Sequence, residues 1–362
     1  MLMACLAGCG NKNNTPADDT KQPSTSDTEK KPDAPATPSG EVEQTFKMAT
    51  VIEGAADKTP YPWHNPNGVV PAMYRTLLLA EPNLTDVNPD LAESYTVSDD
   101  GLVYTFVLQD GLKWSDGEDL TAEDVAFSIK TDLKVASGNA IFTNAFTKIK
   151  GAEAWRDGSA DDLEGVVVDG NTITITLSAP YGAFIPVIAQ FCIMPEHAMK
   201  DIDPLELHNS TYWSNPVTSG AFKLDEMSPG NYYTLVPNEH YTGKPWKFTK
   251  IINYFVPDLI TAAQAGNTYM LNTNAPDMIN ELSKLDSLTM YPIDILFYRY
   301  FICNMKGVDG NENPVMQDKR VREAILYAID RETIAEQLFP GLAHVLHSGV
   351  PNDYPEYNGK VY

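Results

Sequence analysis

The sequence predicts a mixed fold, α/β or α+β with several hairpins, and three observations carry that expectation. Short runs alternate apolar and polar residues with period two, Asp-Gly turns separate such runs, and amphipathic helical stripes are interspersed among them. Residues 44–52 (QTFKMATVI) form the first strand candidate. Residues 95–97 and 102–108 (LVYTFVL) pair across Asp99-Asp100-Gly101, and the second run sets Leu102, Tyr104, Phe106 and Leu108 against Val103, Thr105 and Val107. Thr121 caps a helix whose first turn holds Glu123 and Asp124, where the positive end of the helix favours acids. Val125, Ile129 and Leu133 then fall on one face. Residues 166–168 and 172–177 (TITITL) form a second hairpin across Asp169-Gly170. Residues 184–195 (FIPVIAQFCIMP) are too short for the ~20 apolar residues of a membrane span and read as a buried segment. Val321, Ala324, Ile325, Ala328 and Ile329 form a late helical stripe, and Asp330 ends that helix or caps another carrying Ile334 and Leu338.

The chain has 362 residues, enough for two or three domains at ~100–200 residues each. Apolar residues make up 43% and aromatics 10%, which supports substantial cores and excludes wholesale disorder. Lys and Arg number 26 against 49 Asp and Glu, a formal charge of −23. That field repels phosphate backbones and anionic lipid, so nucleic-acid binding and a basic membrane-surface role are not expected.

The chain opens MLMACLAGCG and turns wholly polar at Asn11. Leu6-Ala7-Gly8-Cys9 resembles the bacterial lipobox, in which the signal is cut before the cysteine and its thiol carries lipid. The leader ahead of Cys9 is short and uncharged, so residues 1–9 are expected to be part of a longer signal. Residues 10–41 contain no aromatic residue and no Val, Ile, Leu or Met, and five prolines punctuate them. Nothing there offsets the entropy of ordering, so residues 10–42 are expected to be a tether with a coil length on the order of 30 Å.

Catalytic constellations fail. There is no phosphate-binding loop, no dinucleotide glycine fingerprint, no H-E-x-x-H and no G-x-S-x-G. Of the six histidines only His344 and His347 have ligand-like spacing, with no further ligand beyond them. Asp309-Gly310-Asn311-Glu312-Asn313 begins like a calcium loop, but Pro314 and Arg320 stand where it needs Gly and Glu. Cys192 and Cys303 have apolar sequence neighbours and read as core cysteines. No enzyme, cofactor or metal centre is expected.

The run from Pro89 to Phe106 (PDLAESYTVSDDGLVYTF) resembles the signature of family 5 extracellular solute-binding proteins, the oligopeptide- and dipeptide-binding group of ABC importers. The resemblance continues through residues 110–117 (DGLKWSDG) and 120–125 (LTAEDV), and resumes at 216–224 (PVTSGAFKL) and 238–241 (NEHY). It returns at 320–325 (RVREAI) and 327–331 (YAIDR), in the family's order. It implies an α/β, two-lobed clamshell of the periplasmic-binding-protein type (type II), with an inserted subdomain in the first lobe. On that pattern residues 43–256 form the first lobe, with the insert at about 81–180. Residues 251–256, ended by Pro257-Asp258, are the crossing, and residues 257–362 begin the second lobe. Family members continue well past Tyr362, so the second lobe is expected to be incomplete.

What the resemblance implies for function is capture of a peptide and its delivery to a permease and ATPase complex. It implies a monomer held to the membrane only through lipid on Cys9, at the outer face of the plasma membrane or in the periplasm. A nickel chelate or sugar as solute, a surface sensor, and a secreted hydrolase are the alternatives. The family's cleft-facing segments map onto Trp63 and Asn65, Ser219 and Gly220, and Tyr298, Tyr300 and Asn304. Main-chain donors and aromatic walls are what a sequence-tolerant peptide site needs.

Overall fold

A computed structural model of the chain describes residues 44–51, 61–63, 70–81, 86–136, 138–244, 246–273, 275–291, 300–307 and 310–346. The strands among the described residues are β1 (Thr45–Val51), β2 (Leu78–Ala80), β3 (Val87–Pro89), β4 (Ala92–Val97), β5 (Val103–Leu108), β6 (Val166–Asp169), β7 (Thr172–Thr176), β8 (Phe222–Ser228), β9 (Tyr232–Pro237), β10 (Lys250–Val256) and β11 (Met270–Leu271). They make a five-stranded sheet in the order β11-β1-β10-β9-β8, a four-stranded sheet in the order β4-β5-β7-β6, and the ribbon β2-β3.

Period-two alternation builds the four-stranded sheet. Tyr104, Phe106 and Leu108 of β5 are buried on the same face as Ile173 and Ile175 of β7, while Val103, Thr105 and Val107 take the opposite face. Each such apolar side chain contributes roughly 1.5–3 kcal/mol when fully buried. The β6–β7 turn falls at Gly170 and Asn171, one residue later than expected, because Asp169 still pairs with Thr172; Gly170 adopts the left-handed conformation (φ +58°) that the turn requires. The helix Ala122–Asp132 covers the buried face with Val125, Ile129 and Leu133, its Thr121 cap reciprocated by Asp124. Residues 184–194 close this core, with Phe184, Ile188, Phe191, Ile193 and Met194 fully buried.

The five-stranded sheet pairs residues far apart in the chain. β1 runs parallel to β10 along its whole length, from Thr45 opposite Lys250 to Val51 opposite Val256, and β8, β9 and β10 form an antiparallel meander. The chain then turns at Asp258, whose carboxylate accepts from the amides of Ile260 and Thr261 at 3.2 and 2.8 Å. The short helix Leu259–Gln264 leads into β11, which joins the free edge of β1. The five-stranded sheet therefore runs on past Val256.

One core cluster extends from Met48 to Ile251 through both sheets. Beyond it the burial thins. The helices Lys319–Ala328 and Arg331–Leu338 contain no buried residue, and Tyr300, Phe301, Ile302, Tyr327 and Leu338 are exposed. The helical stripe read from the sequence is there, except that Ile329 ends the helix in an extended conformation. Asp330 caps the next helix by accepting from the Thr333 amide at 2.9 Å. Among the described residues no helix is long and apolar enough to cross a membrane.

Candidate functional site

Three of the residues expected at a ligand site meet around one short stretch of backbone, residues 73–76. The carbonyl of Met73, at the end of the helix Val70–Met73, accepts from the amides of Ser219 and Gly220 at 3.1 and 2.7 Å. The Ser219 hydroxyl accepts from the Arg75 amide at 3.0 Å. A Cβ on Gly220 would lie 2.4 Å from the Ala72 carbonyl oxygen, so only glycine permits this approach. The Arg75 carbonyl in turn accepts from the Ile193 amide at 3.0 Å, and Thr76 bridges Cys192. The Cys192 carbonyl accepts from the indole N–H of Trp63 at 2.8 Å, and the Trp63 ring stacks on Phe191 with centroids 5.2 Å apart. Trp63, Ser219 and Gly220 are all buried, so their polar groups are committed to the protein frame.

Tyr300 and Asn304 lie instead on the exposed stretch after the second sheet. Tyr300 is 68% exposed, and the Asn304 side chain accepts from the Lys306 amide at 3.1 Å. Cys9, Asn65 and Tyr298 fall outside the described residues, as does His347.

Charged groups tie together segments that are distant in the chain. The Arg75 guanidinium pairs with Asp90 at 2.7 Å and lies 5.5 Å above the ring of Tyr241. Asp124 accepts from three donors: the Trp114 indole at 3.1 Å, the Thr121 amide at 2.9 Å and the Glu196 amide at 2.8 Å. Burial raises its carboxyl above the ordinary value, against the pull of those donors. The sequence marked Asp124 only as an acid in a helix's first turn; its spacing of three from a capping threonine was the signal for more. Arg75 carried no local signal, because its partners come from four separate segments.

A polar cavity of about 380 Å³ beside Asp124 is lined by Glu118, Asp119, Thr121, Glu196, His197 and Lys200, with His197 paired to Asp116 at 2.9 Å. A second, open groove of about 580 Å³ lies along Val321, Ala324, Ile325 and Ala328, rimmed by Asp318 and Arg320. Among the described residues no cluster of three or more His, Cys, Asp or Glu forms a metal site. Cys192 and Cys303 are unpaired, and burial pushes the Cys192 thiol up to about 12, with the Asp90 charge adding to it. Among the described residues of this arrangement no nucleophile is joined to a base. What it holds is a rigid frame, with an exposed apolar and aromatic stretch beyond it.

Residues 86–361 match the family described as bacterial extracellular solute-binding proteins, family 5 Middle, and the chain belongs to that family. The oligopeptide-binding protein AppA of Bacillus subtilis is 28% identical over 293 residues, covering 76% of this chain and 50% of AppA. Among solved structures, a periplasmic oligopeptide-binding protein of Borrelia burgdorferi, OppAIV, superposes with a TM-score of 0.61 at 28% identity, covering 82% of this chain and 59% of that one. NikZ of Campylobacter jejuni, solved with Ni(L-His), gives a TM-score of 0.61 at 24% identity over 85% of this chain and 58% of NikZ. The fold is that of the two-lobed periplasmic binding proteins, as the sequence predicted, and members of this family bind solutes. The chain spans about half the length of the curated relatives it matches.

Proposed function

We propose that this chain is the solute-capturing component of an ABC importer and that its solute is an oligopeptide. The observation that carries the reading is that the relatives matched over three quarters of the chain are named as peptide-binding proteins. Residues 43–256, with their insert at 81–180, and residues 257–362 supply the two walls of a cleft. Closure follows from tighter binding of solute to the closed state, and the solute leaves unchanged. An extended peptide is held mainly through its main chain. Asn65, Tyr298, Tyr300 and Asn304 contribute the contacts, while Trp63, Ser219 and Gly220 hold the wall from behind. Lipid on Cys9 anchors a monomer outside the cytoplasm, residues 10–42 give it reach, and the permease and ATPase receive the cargo.

Calorimetric titration of the chain, together with the native sequence that flanks it, tests the solute. Di- to hexapeptides are expected to bind with little dependence on side chains. Tight binding of a nickel–histidine chelate or a sugar, and of no peptide, would overturn the peptide assignment; cleavage of the peptide would overturn capture. The anchor has its own test: palmitate labelling and detergent partitioning that Cys9→Ser abolishes, since a diacyl anchor supplies the two chains stable attachment needs.

A further inference from the structure

The helix Ala122–Asp132 ends on a carboxylate that has no business in a core. Asp132 is 1% exposed, and neither of its oxygens has a hydrogen-bond partner. The Thr143 hydroxyl lies beside it and pulls its carboxyl down, and Gly138 packs close, with a Cβ there falling 3.5 Å from Oδ1 and 3.0 Å from Val135. Asp132 also sits at the negative end of its helix, which disfavours a second negative charge.

Among the described residues no cation offsets that charge. Lys130 pairs with Asp162 at 2.6 Å, Lys134 lies 3.4 Å over the ring of Trp155, and Arg156 donates to the Leu133 carbonyl at 3.1 Å. The helix Ala140–Phe146 packed against it carries no titratable side chain. Glu196 and His197 meet the helix at its other end, beside Asp124, while Asp169, Glu153 and Asp157 are exposed. Burial therefore drives Asp132, pushing its carboxyl up to about 7 against the opposing pull of Thr143.

The connection next to this carboxyl holds a residue of the site. The Asn139 amide donates to the Trp63 carbonyl at 2.7 Å, and Phe142, three residues on, packs edge-on against Phe191, on which Trp63 stacks. The geometry points to Asp132 as a protonation-gated positioning residue. In its neutral form it lets Gly138 pack against it and the Asn139 amide hold the Trp63 backbone; in its ionised form it demands water and releases that hold. The clasp stands on contacts within the chain. Only its consequence, a cleft wall that loosens as pH rises, rests on the peptide-binding reading.

The sign follows from the raised value. The closed form binds the proton more tightly than the open one, so the hold is complete below about pH 4 and is lost as pH rises through about 7. Hydrogen exchange of the Asn139 amide in the ligand-free chain, corrected for intrinsic rates, reads this directly. Protection is expected to fall roughly tenfold per pH unit between pH 5 and 7 and to level off above. In Asp132→Asn it is expected to stay constant over that range. A second measurement needs no variant: the Asp132 carboxyl carbon should titrate near neutrality. PH-independent protection in the wild type, the same loss in Asp132→Asn, or a carboxyl midpoint below about 5 would overturn the proposal and leave the solute assignment untouched.

Discussion

Substituting Gly220 by alanine tests whether the backbone packing around residues 72–76 is as tight as its geometry implies. The new methyl would meet the Ala72 carbonyl oxygen at 2.4 Å, the Met73 carbonyl carbon at 2.6 Å and the Ala72 carbonyl carbon at 2.8 Å. All three are backbone atoms, so no rotamer change relieves the clash. Regaining an ordinary contact of ~3.5–4.0 Å requires the two segments to part by about 1 Å. That separation breaks the paired bonds from the Ser219 and Gly220 amides to the Met73 carbonyl, now 3.1 and 2.7 Å. Overpacking costs ~1–3 kcal/mol and each of the two lost bonds ~0.5–1.5 kcal/mol, which together give about 2–6 kcal/mol. The smaller entropy of unfolded alanine returns only ~0.4–1 kcal/mol of this. In urea, with a slope of roughly 2–3 kcal/mol/M, the midpoint should fall by about 0.5–2.5 M. Gly182→Ala is the control, since nothing lies within 4 Å of a Cβ there, and it should stay within ~0.5 kcal/mol of the wild type. A Gly220→Ala chain as stable as this control would refute the argument.

Asp124→Ala strands three buried or half-buried donors and should cost about 3 kcal/mol or more in thermal or urea unfolding; a loss below ~1 kcal/mol would mean that water replaces the carboxylate freely. Native alkylation at pH 8.5 should label the partly exposed Cys303 and spare Cys192 until denaturant is added, because burial holds the Cys192 thiol at about 12; equal rates would contradict its burial. Hydrogen exchange should be slow in β5 and β7 and fast in the helices Lys319–Ala328 and Arg331–Leu338, where no side chain is buried; equal protection in the two regions would show that the late helices have found a core.

The four-stranded sheet was legible because its information is local. Alternation in residues 102–108 and 172–177, with Asp-Gly at the turns, names both the buried face and the neighbouring strand. The helix after Thr121 was legible for the same reason. The strand at residues 251–256 was legible too, but its pairing was not: its partner β1 lies about two hundred residues earlier, and nothing in either run names the other. At the candidate site the limit is different. Ser219 and Gly220 stood out as small and polar, properties that suit a ligand contact and a close backbone approach equally well. Only the position of Ala72 and Met73 reveals that the space is already taken. Asp132 gave no sign at all, since whether an acid at a helix end is solvated depends on what the rest of the chain lays over it.

The pairing of β1 with β10 also imposes a timetable. Gln44 and Thr249, which join the two strands at their start, are separated by 205 residues. At ~5–20 residues per second, synthesis leaves β1 waiting roughly 10–40 s for its central neighbour. The four-stranded sheet needs no such wait, because β4, β5, β6 and β7 emerge within one stretch and pair with each other. Its strands can thus meet as the chain emerges, whereas β1 stays without β10 until the last third of the chain arrives. A ribosome that stalls before Lys250 would release a chain able to complete the four-stranded sheet but not the five-stranded one.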